Sequence, residues 1–549
     1  MRDQDEERRL LDEVDTDSDD VATQLSINDE AGEIVELEPV ASPKSSFTLL
    51  RIVGLVVALC LGSLVVVLFA MSRHAGAPFD DSQLAIPLHP TEHSTRDPTT
   101  LTFEWHVTLG TKAPDGVEKQ VYLVNAGQFP GPTIEGRSGD RIIVHVYNDL
   151  ADEGVSLHWH GLRMQGFNAM DGAVGFTQCP VPAGSSFVYD FRIRDDEHGT
   201  FWWHSHSQLQ RADGLFGGLV IHEPRPHDAN IADQQEALLL IGDWFHRKQS
   251  DVLDWYTSPR SAGNEPVPDS MIINGRGRLE QLPTSYPKIY QRNTAQSGEY
   301  RNLRFGNPAL NPNHTFPALP TTATGHDRDQ ASPLKFSDVH LNLATLSSKD
   351  EPSPIVTAEE EQTVLFYVST QKLAVNGNKP IGFVNHTFWQ PQPLPLLSQN
   401  RSSWDDHQFI PFIGSGSKPT KVKLVINNLD DGSHPFHLHG YSFSVLSSFR
   451  AESGSGFGSY NPYDTPESDS PGQWNREKPL RKDTISVPRK GHVVLTFVAD
   501  NPGMWMLHCH MLVHLGTGMA TGFQVGVPED EEHLYGMDES AARLCKASN

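Results

Sequence analysis

Four stretches of the chain set two histidines two residues apart: His158-Trp-His160, His204-Ser-His206, His437-Leu-His439 and His508-Cys-His510. Side chains along an extended strand alternate between faces, so each pair lies on one face and can grip a common site. In the last stretch the same alternation aims Cys509 away from His508 and His510, so one strand serves two centres. This restricts the fold more than any bulk property does, because strands from distant parts of the sequence must converge. One such pair is a weak signal. Four of them, two in each β-rich part of the chain and one split by a cysteine with Met519 ten residues beyond it, are not a coincidence.

The residue types point to a metal and select among metals. Closed structural zinc sites usually carry paired cysteines, and this chain has 4 cysteines in 549 residues, none close to another. A thiolate, two imidazoles and a distant thioether make the blue-copper ligand set. Cys509, His514 and Met519 supply three of these groups, and His434 is the obvious fourth. The eight histidines of the pairs suit an imidazole-rich copper cluster.

The strands that carry the pairs are legible. From Leu101 onward, runs such as QVYLVNA, RIIVHVYN, SFVYDFRI and LFGGLVIH alternate with Gly, Pro and Asp turns, which predicts an antiparallel β-sandwich over 100–232. The pattern returns in TVLFYVS, KVKLVIN, HVVLTFVAD and TGFQVGV, giving a second sandwich over 356–527 and then a tail, 528–549. Between them, 233–355 offers only EALLLIGDWF, SMIING, YRNLRF and HLNLATL as strands, fewer than the about seven of a sandwich.

Residues 1–46 carry 15 acidic and 4 basic side chains and read as a disordered, cytosolic tail. The whole chain has a formal net charge of −26, which argues against nucleic acid as a partner. Ile52 to Met71 is an uncharged apolar run of 20, so 47–72 reads as a transmembrane anchor. A cleavable signal peptide, the competing reading, has an apolar region of only about 7 to 15 residues. Lys44 and Arg51 before the run, against Arg73 after it, favour a cytosolic N-terminus. The glycosylation acceptors Asn313, Asn385 and Asn400 all follow the run, which fits a lumenal or extracellular C-terminal part, although such tripeptides also occur by chance. Residues 73–99, rich in Pro, His, Ser and Thr, read as a stalk. Glu6-Glu-Arg-Arg-Leu10-Leu11 resembles the acidic dileucine signals that cytosolic sorting adaptors read, although a solvated tail of this composition is the other reading. The expectation is a single-pass membrane protein of the endosome, vacuole or cell surface.

HWHG, GTFWWHSHSQLQRADGLFGG, HPFHLHG and HCHMLVHLGTGM stand in the order found in the multicopper oxidases, and on these motifs the chain resembles that family of laccases, ascorbate oxidases and ferroxidases. WHSHSQLQRADGL and GFNAMDGAVGFTQCPV are similar to fungal pigment- and iron-related members. The resemblance implies an all-β fold of cupredoxin-like domains and four copper ions. It implies type 1 copper on His434, Cys509, His514 and Met519, and type 2 copper on His158 and His437. The type 3 pair would take His160, His204, His206, His439, His508 and His510. Asp171, in the MDG after HWHG, matches an acidic residue that helps move protons, while Asp-Gly is also a good turn. The resemblance further implies a disulfide between Cys179 of TQCP and Cys545, in an oxidising compartment.

Two departures stand out. Many relatives place an acid two residues after the second histidine of HCH, and this chain has Leu512. Tyr300 to Leu310, YRNLRFGNPAL, brings together segments that relatives separate by a long β-rich section, so 233–355 would be a truncated cupredoxin domain. The expected activity is laccase-like: one-electron oxidation of small phenols or diphenols, with O2 reduced to water. Ferroxidase activity on Fe(II) is the first alternative, and a copper-binding protein with impaired turnover the second. Asp430 and Asp431, just before His434, stand where electrons enter and would hold Fe(II) or accept a phenol's proton; Leu-Asp-Asp-Gly-Ser is equally a polar turn.

Overall fold

The computed structural model describes residues 85–226, 236–277, 301–302, 342–348, 361–414, 419–452, 456–526, 541 and 543–545. All of these belong to one compact unit, Asp80–Asn549. The acidic tail with its dileucine-like stretch, the Ile52 to Met71 run and Asn313 lie outside the described residues. Among the described residues, no helix is long and apolar enough to cross a membrane.

Two β-sandwiches are built on one plan. In the first, one sheet runs Lys119–Val124, Thr100–Lys112, Arg141–Asn148, Ser186–Arg192, and the other Ile134–Arg137, Phe216–His222, Gly199–Ser205, Leu157–His160. In the second, one sheet runs Pro380–Val384, Glu361–Lys372, Thr420–Asn428, His492–Ala499, Phe443–Phe449, and the other Phe412–Gly414, Ala520–Gly526, Gly503–Cys509, His434–Leu438, Thr484–Val487. The long first strand of each domain pairs in parallel with the third of the order, and the strand opening each second sheet pairs in parallel with its neighbour. These parallel pairs differ from the purely antiparallel sandwich expected from the turn spacing. Such pairing is invisible to a turn count, because it joins strands that are distant in sequence.

The repeat extends to single residues. Asn125 and Asn385 both sit at positive φ, 53° and 55°, and each carboxamide oxygen accepts from the N–H of the long strand, of His106 at 3.0 Å and Tyr367 at 2.9 Å. Asn385 therefore has a structural reason to be Asn in the hairpin it closes. Asn400 is exposed at the start of a short helical turn, Arg401–Ser403.

Alternation buries one face of each strand. Trp159, between the histidines of the first pair, is 0% exposed and packs with Trp105, Tyr189 and Phe191. Phe436 is as deeply buried in the second sandwich. Filling both cores from the residues between the histidines leaves the histidines facing the other way, toward the partner domain.

Part of the expected stalk is folded instead. Ile86–Leu88 is a strand paired with Glu236–Leu239, and Arg96 forms a salt bridge with the buried Asp140. In the middle segment, EALLLIGDWF breaks into Glu236–Leu239 and Ile241–Trp244, because Leu240 exchanges hydrogen bonds with Asn274, whose Oδ1 accepts from its N–H at 2.6 Å. HLNLATL is no strand in its described part: Leu343–Thr345 is a 3-10 turn, whose Asn342 side chain accepts from Ala344 N–H at 3.0 Å, competing with extended pairing. SMIING and YRNLRF supply Ser270–Ile273 and Arg301–Asn302, each in a three-stranded sheet.

Cys179 and Cys545 form a disulfide, tying the first sandwich to the C-terminal end across 366 residues of sequence. Opening so long a loop enlarges the unfolded ensemble. Cys179→Ser with Cys545→Ser is expected to lower unfolding free energy by about 2–4 kcal/mol, read as a lower denaturant midpoint with the copper-to-protein ratio unchanged.

Candidate metal centres

Leu157–His160 pairs antiparallel with Gly199–Ser205, setting His158 opposite His204, and His434–Leu438 pairs with Gly503–Cys509, setting His437 opposite His508. Glycine ends both HxH strands. Gly161 and Gly440 have φ of 94° and 69°, and a Cβ at Gly440 would lie 2.3 Å from the Trp505 ring, so only glycine lets the chain turn there.

The four strands bring the eight paired histidines into three groups: His158, His160 and His437; His160, His204 and His510; His206, His439 and His508. Every group mixes the two sandwiches. Opposed Nε2 atoms stand 3.3 Å apart between His158 and His437, 3.4 Å between His206 and His508, and 3.2 Å between His439 and His508. Imidazole nitrogens that share one metal at about 2.0 Å lie roughly 3 to 3.5 Å from one another, so these separations fit a bound ion.

Outer contacts fix which nitrogen faces inward. The Nδ1–H groups of His158, His437, His204 and His508 donate to the carbonyls of Asp171 (2.8 Å), Asp483 (3.0 Å), Ser205 (2.9 Å) and Cys509 (3.0 Å). His439 Nδ1–H donates to Asp171 Oδ2 at 2.8 Å. A carbonyl or carboxylate only accepts, so Nδ1 carries the proton and Nε2 keeps its lone pair. His204 Nε2 and His160 Nδ1 are buried without a hydrogen-bond partner, as waiting ligand atoms are. Burial above all pushes His160, His204, His206, His437, His439 and His510 below the usual histidine range and His508 to about 3; neighbouring imidazoles add to this, and for His204 and His510 the Arg211 guanidinium adds more. Neutral rings are what copper requires.

Cys509 lies on the other face of its strand. With His434 and His514 it makes a fourth group, Sγ 3.8 Å from His434 Nδ1 and 3.5 Å from His514 Nδ1, with the two rings' Nδ1 atoms 3.1 Å apart. Burial raises the thiol, but hydrogen bonds from His434 and His514 outweigh it and bring Cys509 down to about 7. His514 moves the other way: burial lowers it, and contact with Cys509 and Glu265 raises it to about 10. Met519 is fully buried, and its carbonyl accepts from Cys509 N–H at 3.0 Å, placing its backbone beside that of Cys509.

Asp171 is completely buried and joins both domains, through His158 of one and His439 of the other. Asp430 and Asp431 part company. Asp430 Oδ2 lies 2.9 Å from His434 Nε2 and accepts from Thr370 N–H at 2.7 Å. Asp431 is 75% exposed, with Lys490 Nζ at 3.8 Å, and of the two carboxylates it is Asp430 that the structure sets against the His434 ring. The turn Leu-Asp-Asp-Gly-Ser explains the split, since adjacent side chains diverge. Sequence reasoning missed Glu265, whose Oε1 lies 3.5 Å from His514 Nε2, and also Arg211, Asp483 and Thr484, which touch cluster histidines. They sit in loops and strand ends with no periodic pattern; RAD, five residues after His206, was the only trace beside a histidine motif.

Three family profiles described as multicopper oxidase match residues 106–226, 235–317 and 401–529. Laccase-1 of Cryptococcus neoformans var. grubii is 31% identical over 82% of this chain and 83% of its own length. Iron transport multicopper oxidase fetC of Epichloe festucae is 29% identical over 82% of this chain and 80% of its own. Among solved structures, Fet3p, a multicopper oxidase that functions in iron import, superposes with a TM-score of 0.62 at 22% identity, covering 82% of this chain and 95% of that one. The laccase from Botrytis aclada gives 0.58 at 21% identity, covering 83% and 93%. Fold, histidine geometry and likeness across most of the chain agree: the protein belongs to the multicopper oxidase family, cupredoxin-like, four-copper oxidoreductases that use O2 as electron acceptor.

Proposed function

We propose that this oxidase draws electrons singly from small phenolic or diphenolic donors and delivers them to O2, which is reduced to water. Type 1 copper is assigned to His434, Cys509, His514 and Met519, type 2 to His158 and His437, and the type 3 pair to His160, His204, His206, His439, His508 and His510. One observation carries the reading: the strand Gly503–Cys509 and the residue just past it hold Cys509 in one metal group and its neighbours His508 and His510 in the others. Bound there, copper supplies one-electron redox chemistry on the thiolate side and oxygen binding on the imidazole side. The chain's own part is to join them. Cys509 links the donor edge to His508 and His510 through a few covalent bonds, Asp171 orients His158 and His439, and the apolar cores keep bulk water from the rings.

Donors meet the chain at the His434 and His514 edge, where Asp430 and the partly exposed Glu265 flank the two rings. A carboxylate there accepts the proton that a phenol releases as it loses an electron. The same pair favours a second reading, Fe(II) as donor, because hard cations bind carboxylate oxygen. Oxygen uptake against both donor classes separates the two. For a phenol oxidase, uptake with diphenols exceeds uptake with Fe(II), and Asp430→Asn with Glu265→Gln changes diphenol KM by less than about tenfold. If Fe(II) is the donor, the double variant raises its KM more than about tenfold while diphenols stay poor. No uptake with either donor would sink the proposal.

For location, we infer a single-pass anchor at 52–71 with a cytosolic N-terminus and the oxidase on the lumenal or extracellular side. The apolar run, its flanking charges and the sequons at Asn313, Asn385 and Asn400 support this. Adaptor binding at Glu6 to Leu11 belongs to the same inference. Protease protection of the oxidase, but not of the tail, in sealed vesicles would bear it out; the reverse pattern would overturn it.

A further inference from the structure

The group of His160, His204 and His510 takes two histidines from the first sandwich and one from the second. Its outer contacts are crossed. His160, of the first sandwich, points Nε2 at Thr484 Oγ1, 3.1 Å away, and at Asp483 Oδ1, 3.4 Å away, both from the second. His510, of the second, accepts through its backbone carbonyl from one Arg211 guanidinium nitrogen at 2.7 Å, and the other contacts both nitrogens of its ring, Nδ1 and Nε2. Arg211 belongs to the turn Gln210–Asp213 of the first sandwich.

Each contact has a chemical consequence. A carboxylate cannot donate, so Asp483 leaves the proton on His160 Nε2 and the lone pair on Nδ1, the atom that is buried without a partner. His158, His204, His437, His439 and His508 are tied the opposite way, with Nδ1 to oxygen. His160 is the inverted ring, and Asp483 is what inverts it. Arg211 acts on the other side by fixing the backbone that carries His510. Its own turn is rigid: Gln210 Oε1 accepts from Ser205 Oγ at 2.7 Å, Gln210 Nε2 donates to Gly154 carbonyl at 3.0 Å, and the buried Asp213 pairs with Lys119 at 2.7 Å. The Arg211 guanidinium also lies 5.7 Å from the Trp202 ring, which packs on His204.

We propose that Asp483 and Arg211 are positioning residues forming a reciprocal clamp across the boundary of the two sandwiches, Asp483 setting the tautomer of His160 and Arg211 the placement of His510, so that one copper of the type 3 pair binds between them. This rests on the copper assignment above.

The test uses full-length, copper-loaded protein dialysed against graded chelator, with copper per chain, blue colour and melting midpoint read together. Asp483→Leu and Arg211→Leu are expected to weaken retention of cluster copper about 10- to 100-fold. Blue colour and the midpoint of the copper-free protein stay at wild-type values, because the contacts of Asp483 and Arg211 are with His160 and His510 and not with the His434, Cys509 and His514 group. Asp483→Glu keeps a carboxylate that can only accept and Arg211→Lys a donor and charge, so each recovers part of the loss. Wild-type copper retention in both leucine variants would overturn the clamp while leaving the four-copper reading intact. Parallel loss of colour, copper and midpoint would overturn it in favour of a general structural role. A wild-type chain that takes up no copper would overturn both.

Discussion

Cys509→Ser is expected to give a colourless protein that retains its histidine-cluster copper and consumes no oxygen above background with either phenols or Fe(II). The blue colour comes from thiolate bound to copper, and Cys509 is the free cysteine among the described residues, buried beside His434 and His514. A serine hydroxyl there offers no anion near neutral pH, whereas the hydrogen bonds from His434 and His514 bring the thiol to about 7. The cluster should survive. The backbone carbonyl at 509 that receives His508 Nδ1–H is unchanged, and Cys509 N–H still reaches Met519 carbonyl. Loss of turnover with cluster copper retained separates an electron-entry role from collapse of the site. The measurements are copper per chain, the visible spectrum and oxygen-electrode rates. A variant that stays blue, or that turns over at the wild-type rate, would place electron entry elsewhere.

What was legible in the sequence follows the reach of its signals. Period-two alternation is a local property, and it separated Cys509 from His508 and His510 and set His158 beside His160, because each strand obeys it whatever surrounds it. Pairing between strands is not local. The strand pairs that make the three histidine groups, and the parallel pairs at the edge of each sheet, come from the packing of two sandwiches. Only likeness to a known family implied which histidines share a metal. Residues recruited by docking stayed hidden for the same reason. Glu265 reaches His514 from a loop, Arg211 reaches His510 from a turn, and Asp483 reaches His160 from a strand end, positions where no periodicity marks a side chain. Alternation also says nothing inside a turn, which is why Asp430 and Asp431 looked equivalent. Composition misled at residues 86–96, where proline and histidine suggested a stalk, yet Ile86–Leu88 pairs with Glu236–Leu239 and Arg96 holds Asp140.

Asp171→Asn is expected to slow oxygen reduction about 10- to 100-fold, or about 1.4–2.7 kcal/mol of barrier, while leaving reduction of the type 1 site by donor unchanged. Asp171 is completely buried and reaches two imidazoles from two domains: its carbonyl takes His158 Nδ1–H at 2.8 Å, and its Oδ2 takes His439 Nδ1–H at 2.8 Å. The substitution spares the first contact, which is backbone, and alters the second. An amide in place of the carboxylate either turns its NH2 toward an N–H that needs an acceptor, or accepts through a neutral oxygen that holds the ring less firmly. Leu512 sharpens the effect, since the acid that many relatives carry after HCH is absent and no carboxylate there can compensate. His434, Cys509 and His514 make no contact with Asp171, so blue colour and its bleaching by donor under nitrogen should match wild type. Recovery of colour when air is admitted isolates the step in question. Recovery at the wild-type rate would show that His439 keeps its orientation without the carboxylate, and would remove Asp171 from the oxygen side of the reaction.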